Sequence, residues 1–571
     1  MSQTVAQIVV DTMEKAGAKR VYGIPGDTIN HFTDAISKSS LRWVSVRHEE
    51  AGAFAAGGES YMTGELSVCA GTCGPGSLHF VNGIYESHRN GAPVLLIASD
   101  VARTESGFNF PQEVDQKKIY EQHSHFCEYI SHPSQARRIV AKAAQAALTK
   151  KGVAVVIVNG DMFTEKDADD MDWQVYRPQP VCRPSDAEMA ELAALVDAAG
   201  KVSVYAGIGA RDAKQEIMVF CDRVKAPMVH TTRAKEFLEP ENPFNVGVNG
   251  ILGNRAGVDA LEDADLVIAL GCDFAYTQYY PEAKKIVQID IEPTHLGRRS
   301  AIHLGLVGDA KTTFAALLPL VAEKSDSGHL EAAQEQWRKD LKGYADDGED
   351  KDPSLIHPQH VANMLDAKAS DGAIFVSDAG TSMVWMLRHI TARGQRRFLN
   401  TLLHGTMASG MPQAMGAKLA YPQRQVTAMC GDGSLTMLMG ELLTLVQEKI
   451  PLKLLVFHNN SFGFVEMEQR VEGLVDHYTG LHNPDFGKLA EACGIAGWHV
   501  ESTDTLEPAM DAWLAAEGPA LLDVRVNQME LVMPPKIEAS QVAGTALFGV
   551  KAVLDGRTRE IVDLLRNNFL R

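Results

Sequence analysis

Two short polar strings near the end of the chain constrain its fold more than any other feature. The string Gly-Asp-Gly-Ser at 431–434 follows one apolar run, and the pair Asn-Asn at 459–460 follows a second. Between them lies a helix-like stretch, 435–448, that is rich in Leu and Met. A strand, a turn, a helix and a strand within about 30 residues have the size of one βαβ crossover. Because parallel strands end at the same edge of a sheet, Asp432 and Asn459 are predicted to converge.

The chemistry of these two strings suits a metal ion with a phosphorylated ligand. Asp432 and Asn459 offer hard oxygen ligands, which favour Mg²⁺ or Ca²⁺, and Mg²⁺ usually shares its shell with substrate phosphates. Gly431 and Gly433 allow the backbone to approach a phosphate closely, and a helix beginning near Ser434 directs N–H groups at an anion. The alternative is a pair of ordinary loop turns. The placement of both strings on one βαβ unit favours the metal and phosphate site.

Composition excludes several classes of protein. The chain has 571 residues, which predicts three or four domains, and its net charge of −19 argues against a nucleic-acid partner. We expect no signal peptide and no membrane span, because no segment has the charge and apolar zones of the first or the length of the second. The 8 cysteines are scattered without a zinc pattern and are expected to be reduced thiols.

The pattern of strand and helix signals predicts an α/β fold with three doubly wound parallel-sheet domains and a C-terminal tail. Helix and strand signals alternate through each of the three long segments, and the segment that holds the two polar strings repeats the organisation of the first. Proline-rich or charged stretches separate the segments. The predicted boundaries are 1–180, 185–340, 355–530 and, for the tail, 531–571.

The two polar strings resemble the diphosphate-binding motif of thiamine diphosphate (ThDP) enzymes. In that family the Asp, the first Asn and a backbone carbonyl two residues later bind the metal. The resemblance implies Mg²⁺ ligation by Asp432, Asn459 and the carbonyl of Ser461, with Gly431, Gly433 and Ser434 around the diphosphate. The wider resemblance covers the whole chain and is to bacterial quinone-dependent pyruvate dehydrogenases, also called pyruvate oxidases. It is carried by the strings RHEEAGAFAAG, CGPGSLHFVNG, AMCGDGS, EACGI and NNFLR.

The same resemblance implies the roles of the three domains and of three further residues. The first domain binds the pyrimidine of ThDP, the central domain binds FAD, and the third binds the diphosphate. Glu49 corresponds to the carboxylate that activates ThDP, although a Glu in the first turn of a helix is also favoured by the helix dipole. Met407 corresponds to the apolar residue that supports the bent cofactor, and Phe464 to an aromatic residue towards the flavin. Core packing is the alternative for both.

Evidence for a flavin lies in the middle segment. Gly207-Ile208-Gly209 after a strand is a weak dinucleotide signal, because the full GxGxxG is missing. Arg233 is expected to pair with the FAD diphosphate as a bidentate donor, and Asp290 to bind the ribose or adenine side. The further positions that correspond to FAD contacts of the family are Lys235, Gly250, Gly253 and Asp273.

The resemblance implies a reaction and its partners. Pyruvate is decarboxylated on ThDP, electrons pass through FAD to a membrane quinone, and acetate is released. The family forms homotetramers with active sites between subunits. The alternatives are a non-redox ThDP lyase or carboligase of the acetolactate synthase type, and an oxygen-dependent pyruvate oxidase that makes acetyl phosphate. A catalytically silent binding protein is disfavoured because Glu49, Asp432 and Asn459 are all present.

The C-terminal tail and two substitutions bear on partner and substrate. An amphipathic helix is predicted from apolar residues at helical spacing and from basic residues in an acidic protein, which suits an anionic membrane surface. The apolar residues are Ile561, Leu564, Leu565 and Phe569, and the basic residues are Arg557, Arg559, Arg566 and Arg571. We therefore expect a cytoplasmic protein that is peripheral on the inner face of the membrane; a helix docked on its own domain is the alternative. Asp100 and Pro111 depart from the family pattern, so the identity of the 2-oxo acid stays open.

Overall fold

A computed structural model describes residues 2–167, 173–282, 284–345, 355–530 and 539–554, together with positions 532, 535, 557, 561, 562 and 564. Within these residues the chain forms three six-stranded sheets in which every strand pairing is parallel, as predicted, and one short two-stranded antiparallel sheet. Helices connect most successive strands, and short 3-10 turns join β12 to β13 and β13 to β14, so the three units are α/β in the residues that the structure describes.

The first unit contains the first six-stranded sheet, with strand order β3-β2-β4-β5-β7-β6, and the antiparallel pair β1-β8. Its strands are β1 (Gln3–Thr4), β2 (Arg20–Gly23), β3 (Arg42–Ser45), β4 (Ser67–Gly71), β5 (Val94–Asp100), β6 (Phe126–Tyr129), β7 (Val153–Asn159) and β8 (Lys166–Asp167). Its helices are α1 (Val5–Lys15), α2 (Asn30–Ser37), α3 (Glu49–Thr63), α4 (Pro75–Leu78), α5 (Val81–Asn90), α6 (Gln116–Tyr120) and α7 (Ala136–Lys150).

The middle unit has the strand order β11-β10-β9-β12-β13-β14. Its strands are β9 (Val202–Ala206), β10 (Met228–His230), β11 (Asn245–Val248), β12 (Leu266–Leu270), β13 (Lys285–Asp290) and β14 (Leu304–Val307). Its helices are α8 (Asp186–Ala198), α9 (Lys214–Val224), α10 (Lys235–Leu238), α11 (Arg255–Glu262), α12 (Ala310–Leu317) and α13 (Gly328–Ala345). Counted within the unit, this is the order 3-2-1-4-5-6 of dinucleotide-binding sheets, whose ligands bind where the order reverses, between β9 and β12.

The third unit has the strand order β16-β15-β17-β18-β20-β19. Its strands are β15 (Ile374–Ser377), β16 (Arg397–Leu399), β17 (Val426–Gly431), β18 (Lys453–His458), β19 (Ala496–Val500) and β20 (Ala520–Arg525). Its helices are α14 (Pro358–Lys368), α15 (Thr381–His389), α16 (Gly410–Ala420), α17 (Asp432–Met437), α18 (Leu442–Gln447), α19 (Gly463–Val471), α20 (Phe486–Ala492), α21 (Thr503–Ala515) and α22 (Ala539–Leu554). Counted within each unit, the first and third sheets share the order 2-1-3-4-6-5, so the third segment repeats the first in topology as well as in pattern.

The first and third units pack against each other through α3 and α16. A Cβ added at Gly58 would lie 2.2 Å from the carbonyl oxygen of Gln413, and one added at Gly416 would lie 1.9 Å from that of Ala55. Only glycine permits backbones to approach this closely. The Ala- and Gly-rich sequence of α3 therefore serves an interface between helices, and this interface fixes the two units relative to each other.

The helix predicted over 435–448 differs from the observed structure. The first helical turn begins at Asp432, and a 3-10 turn at Met439–Glu441 separates α17 from α18. The interruption directs the Glu441 carboxylate to the backbone N–H groups of Arg47 and His48, at 3.0 and 2.9 Å. A contact with the first unit thus overrides a continuous helix.

Among the residues that the structure describes, no helix has both the length and the apolar character needed to cross a membrane.

Candidate active site

The two polar strings converge at the carboxyl ends of β17 and β18, as the sequence predicts. Asp432 is 1% exposed, and its Oδ2 accepts a hydrogen bond from the backbone N–H of Asn460 at 2.6 Å. Its Oδ1 accepts from the N–H of Gly433 at 2.8 Å, and the side chain of Asn483 donates to Oδ2 at 3.0 Å. The carboxylate is therefore held in one orientation by three donors.

The surroundings of Asp432 suit a cation. Burial raises the pKa of Asp432, and its backbone hydrogen bonds only partly offset that effect. A divalent ion beside the carboxylate would favour its charged form. The predicted donor set is a carboxylate, the amide of Asn459 and the carbonyl of Ser461, which are the hard oxygen ligands that Mg²⁺ prefers. The residues present therefore fit the ion that the sequence predicts.

A cleft with about 1380 Å³ of empty volume opens beside Asp432. The third unit lines it with Gly431, Gly433 and Ser434, which are predicted to surround the diphosphate, and with Asn459 and Ser461, which are predicted to bind the metal. A Cβ added at Gly431 would meet no atom within 4 Å, so this backbone faces open space. A Cβ added at Gly433 would instead lie 2.7 Å from the ring of Phe462. The first glycine leaves room for a ligand, and the second makes room for a neighbouring aromatic ring.

Met407 and Phe464 also line this cleft. Met407 precedes Ala408, whose φ of 67° makes a tight turn that few residues other than glycine adopt. Phe464 lies in the first turn of α19 and packs against buried apolar residues of the third unit. Both side chains therefore border the open space beside Asp432.

Glu49 occupies a different place. It is the first residue of α3, is 7% exposed, and its Oε2 lies 2.9 Å from Nδ1 of His79. The ring of His79 stacks on that of His48 with centroids 4.6 Å apart. Glu49 is not among the residues that line the cleft beside Asp432. Within one chain, the predicted activating acid and the predicted metal ligands therefore do not line the same cleft.

The middle unit closes the cleft from the other side. Thr232, Asn249, Phe274 and Tyr276 contribute to its wall, and the buried side-chain oxygen of Asn249 has no hydrogen-bond partner among the described residues. An unpaired buried acceptor of this kind is costly unless a ligand or water donates to it. The wall of the cleft therefore offers a polar anchor on the side of the middle unit.

The glycines predicted to bind a dinucleotide lie where the middle sheet reverses its order. Gly207 follows β9, and a Cβ added there would lie 2.1 Å from the carbonyl oxygen of Gly271, which follows β12. Gly209 donates its N–H to the same oxygen at 3.1 Å. The two turns thus meet at the point where dinucleotides bind in sheets of this order.

The other predicted flavin residues have defined partners. Arg233 donates to the carbonyl of Asn90 at 2.9 Å, and Asp290 accepts from the N–H of Glu292 at 2.9 Å. Lys235 is 5% exposed and lies 2.8 Å from Glu239, and Asp273 pairs with Arg299 at 2.8 Å. Gly250 and Gly253 belong to the turn after β11, where a Cβ at Gly250 would lie 2.3 Å from the Phe274 ring. Ion pairs within the protein occupy Lys235 and Asp273.

The two departures from the family pattern lie in the first unit. Asp100 ends β5, is 5% exposed and accepts a hydrogen bond from Tyr129 at 2.9 Å, and its burial raises its pKa. Pro111 stands in a loop that exposes Phe108 and Phe110, which are 79% and 44% accessible. Neither departure lines the cleft of the same chain.

Several groups at this site carry no clear signal in the sequence. Asn483 lies in a loop without periodic apolar residues, so no pattern marks it. His458, the last residue of β18, contacts Asp523 of β20 at 2.9 Å. The neighbouring placement of these two strands follows from the strand order, which the sequence does not give. The one sequence feature that could have indicated His458 and Asp523 is a polar residue at or near the end of an otherwise apolar strand.

The described part of the C-terminal tail is docked on the third unit. α22 packs along α19, Lys551 donates to the carbonyl of Gly473 at 2.7 Å, and Arg557 pairs with Asp476 at 2.6 Å. Leu564 is 4% exposed and clusters with Phe548 and Ala552. The alternative of a docked tail therefore holds for these residues. The predicted positions Arg559, Leu565, Arg566, Phe569 and Arg571 lie outside the described residues.

Comparisons with known proteins agree with this architecture. Three family descriptions match: "Thiamine pyrophosphate enzyme, N-terminal TPP binding domain" over 3–119, "central domain" over 189–317, and "C-terminal TPP binding domain" over 378–524. The chain is 33% identical to the Bacillus subtilis protein YdaP over 99% of each chain. It is 29% identical to pyruvate oxidase of Lactiplantibacillus plantarum, over 91% of this chain and 88% of that one. It is 28% identical to the acetolactate synthase isozyme 2 large subunit of Escherichia coli, over 93% and 96%.

Proposed function

This chain belongs to the thiamine pyrophosphate enzyme family, and from that premise we propose that it oxidatively decarboxylates pyruvate to acetate and CO₂. Electrons would leave through FAD to a membrane quinone. ThDP supplies the carbon centre that bears the negative charge released by decarboxylation, and FAD supplies a two-electron acceptor. The protein would bind and orient both groups.

One observation carries the redox proposal: the cleft beside Asp432 is shared with the middle unit. Its walls include Asn459 and Met407 on one side and Thr232, Asn249 and Phe274 on the other. Two cofactors that open into one space would bring their reacting atoms together. The middle sheet supports a dinucleotide through its strand order and through the glycine turn at Gly207.

The roles of the individual residues follow from their positions. Asp432, Asn459 and the Ser461 carbonyl would hold Mg²⁺, and Gly431 leaves space for the diphosphate. Met407 and Phe464 would bound the space above it. Glu49, supplied by a second copy of the chain, would accept and return a proton at the pyrimidine ring, with His79 beside its carboxylate at 2.9 Å. A homotetramer with sites between subunits satisfies this requirement.

Membrane association is proposed on the exposed apolar side of α22. Val542, Val550 and Leu554 are 59%, 60% and 80% exposed, while Phe548 on the opposite side of the helix is buried. An amphipathic helix that displays apolar residues suits a lipid surface. We therefore propose that the enzyme is cytoplasmic and peripheral on the inner face of the membrane, where a quinone is accessible.

A non-redox lyase or carboligase is the second candidate. It is favoured by the similarity to acetolactate synthases, which covers more than nine-tenths of the chain. An oxygen-dependent oxidase that makes acetyl phosphate is a nearer variant. These reactions differ in the product that is formed from pyruvate and in the molecule that accepts the electrons.

The test is the visible spectrum of the purified protein without oxygen, before and after addition of pyruvate with ThDP and Mg²⁺. The proposal expects a flavin band that bleaches when pyruvate is added and returns when a quinone is added. A band that stays oxidised while acetolactate accumulates would support the carboligase. A protein that takes up no flavin would refute the redox proposal.

A further inference from the structure

Three side chains form a hydrogen-bonded bridge behind the metal turn of 459–461. His458, Asp523 and His499 lie at the carboxyl ends of β18, β20 and β19. His458 is 2% exposed and Asp523 is fully buried. The carboxylate of Asp523 contacts Nδ1 of His458 at 2.9 Å through one oxygen and Nδ1 of His499 at 2.7 Å through the other.

The bridge is saturated by hydrogen bonds. Asp523 also accepts from the backbone N–H of Phe486 at 2.9 Å, so three donors satisfy a carboxylate that has no access to water. Nη1 of Arg525 lies 2.9 Å from Nε2 of His458. His2Asp clusters can bind Zn²⁺. Here a metal would have to displace the protons that already make these contacts.

The inner end of the bridge reaches the metal turn through Asn460. Nε2 of His458 lies 2.8 Å from Oδ1 of Asn460, and Asn460 has a left-handed backbone with φ of 57°. The N–H of the same residue donates to Asp432 at 2.6 Å. The bridge therefore contacts Asn460, whose backbone N–H links the metal turn to the carboxylate of Asp432.

The outer end of the bridge is His499, whose side chain is 22% exposed. Its Nε2 lies 3.2 Å from Glu501, and its Nδ1 lies 4.0 Å from Asp485. Burial disfavours a charge on this ring, but Asp523, Glu501 and Asp485 outweigh burial and raise the pKa of His499. The imidazole at this end holds Asp523 through the 2.7 Å contact of its Nδ1.

We infer that Asp523 and His458 are positioning residues for the metal-binding turn, acting through Asn460, with His499 as the clamp. The inference rests on the proposed function, because that proposal assigns the metal to Asp432 and Asn459. Outer partners of metal ligands fix ligand orientation, and their loss typically costs about 10–100-fold in metal affinity.

The test is titration of Mg²⁺, and separately of Ca²⁺, into the full-length protein with saturating ThDP. We expect Asp523→Asn to weaken Mg²⁺ binding by about 10–100-fold and His499→Gln to weaken it less. Mg²⁺ demands near-ideal octahedral geometry whereas Ca²⁺ tolerates flexible shells. A misplaced turn should therefore lower the affinity for Mg²⁺ more than that for Ca²⁺, which a general loss of stability would not do.

Glu59→Gln is the matched control, because Glu59 is a buried acid paired with Arg20 at 2.6 Å in the first unit. It should leave both affinities unchanged. If Asp523→Asn fails to fold, the Mg²⁺ and Ca²⁺ affinities of His499→Gln alone test the inference, because the His499 side chain is partly exposed and its replacement should be tolerated. The inference would be overturned if the folded bridge variants bound Mg²⁺ as tightly as wild type, or if they lost affinity equally for Mg²⁺ and Ca²⁺. It would also be overturned if the wild-type protein carried a stoichiometric zinc ion that Asp523→Asn removes.

Asp432→Asn separates this inference from the proposed function. If Asp432→Asn abolishes Mg²⁺ binding while Asp523→Asn has no effect, the bridge inference alone fails. If Asp432→Asn leaves Mg²⁺ binding intact, the proposed metal site fails.

Discussion

Replacing Glu86 by glutamine should stabilise the fold in mildly alkaline solution and change it little in acid. Glu86 lies in α5 and is 1% exposed, where Thr401 and Asn90 each donate to its carboxylate at 2.6 Å. Burial outweighs these hydrogen bonds and raises the pKa of Glu86 from 4.5 to about 7. The buried side-chain oxygens of Asn90 and Gln413 have no donor within the described structure. A glutamine amide at position 86 offers one.

The size of the change in the free energy of unfolding follows from the linkage between proton binding and folding. The folded protein binds the Glu86 proton more tightly than the unfolded chain, so this stabilisation is complete below the unfolded pKa of 4.5 and is lost as the pH rises through about 7. At about 1.36 kcal/mol per pKa unit, the full loss is about 3 kcal/mol. Glutamine carries no proton to lose, so the variant should gain about that amount at about pH 8 and less than about 1 kcal/mol at about pH 5.

The assay is urea unfolding of wild type and Glu86→Gln at each pH, followed by far-ultraviolet circular dichroism. Comparing the two proteins at the same pH cancels the contribution of all other titrating groups. Glu59→Gln is the control: it removes an ion pair with Arg20 and should destabilise the protein at both pH values. A stability difference between wild type and Glu86→Gln that does not change with pH would refute the reasoning.

Two further predictions concern the proposed activity. Glu49→Gln should lower turnover by about 10²–10⁴-fold while ThDP remains bound, because only the proton-transferring group is lost; normal turnover in that variant would remove Glu49 from its role. Deletion of 549–571 should spare reduction of a soluble dye by pyruvate but weaken flotation with anionic liposomes, because it removes the exposed Val550 and Leu554. Unchanged liposome binding by the shortened protein would contradict the membrane proposal.

The α/β architecture was predictable because apolar strands buried on both faces leave a strong pattern. The apolar runs that precede Asp432 and Asn459 form the adjacent strands β17 and β18, as the βαβ pattern predicts. The helix break at Met439–Glu441 depends on the contact between Glu441 and His48, which lies far away in sequence.

The candidate site was predictable only where residue type and strand ends coincide. Asp432 and Asn459 follow adjacent strands, so their convergence required no knowledge of the rest of the sheet. Asn483 reaches this turn because a loop folds back over it, and Asp523 contacts His458 because β20 lies next to β18. The placement of Glu49 outside its own cleft likewise depends on the packing of α3 against α16, which no local pattern encodes.

The position of Glu49 outside the cleft beside Asp432 leads to a prediction about how two copies of the chain assemble. The first and third sheets share one topology, yet Glu49 stands at the end of one and Asp432 at the end of the other, and Glu49 does not line the cleft beside Asp432. If a complete site takes Asp432 from one copy and Glu49 from another, Glu49→Gln and Asp432→Asn chains should complement each other when co-expressed. In a hybrid dimer one site has both groups and the other has neither.

Random pairing makes half of the dimers hybrid, so the mixture should recover about a quarter of wild-type turnover, while each variant alone stays inactive. Tagging the two chains differently and purifying the hybrid should raise the recovery to about half. Turnover is measured as pyruvate consumed by the co-expressed chains, with each chain expressed alone as the control. A mixed preparation as inactive as its parents, with hybrids present, would show that Glu49 and Asp432 act within one chain. That result would require a movement of the first unit against the third, which the close packing of Gly58 on Gln413 opposes.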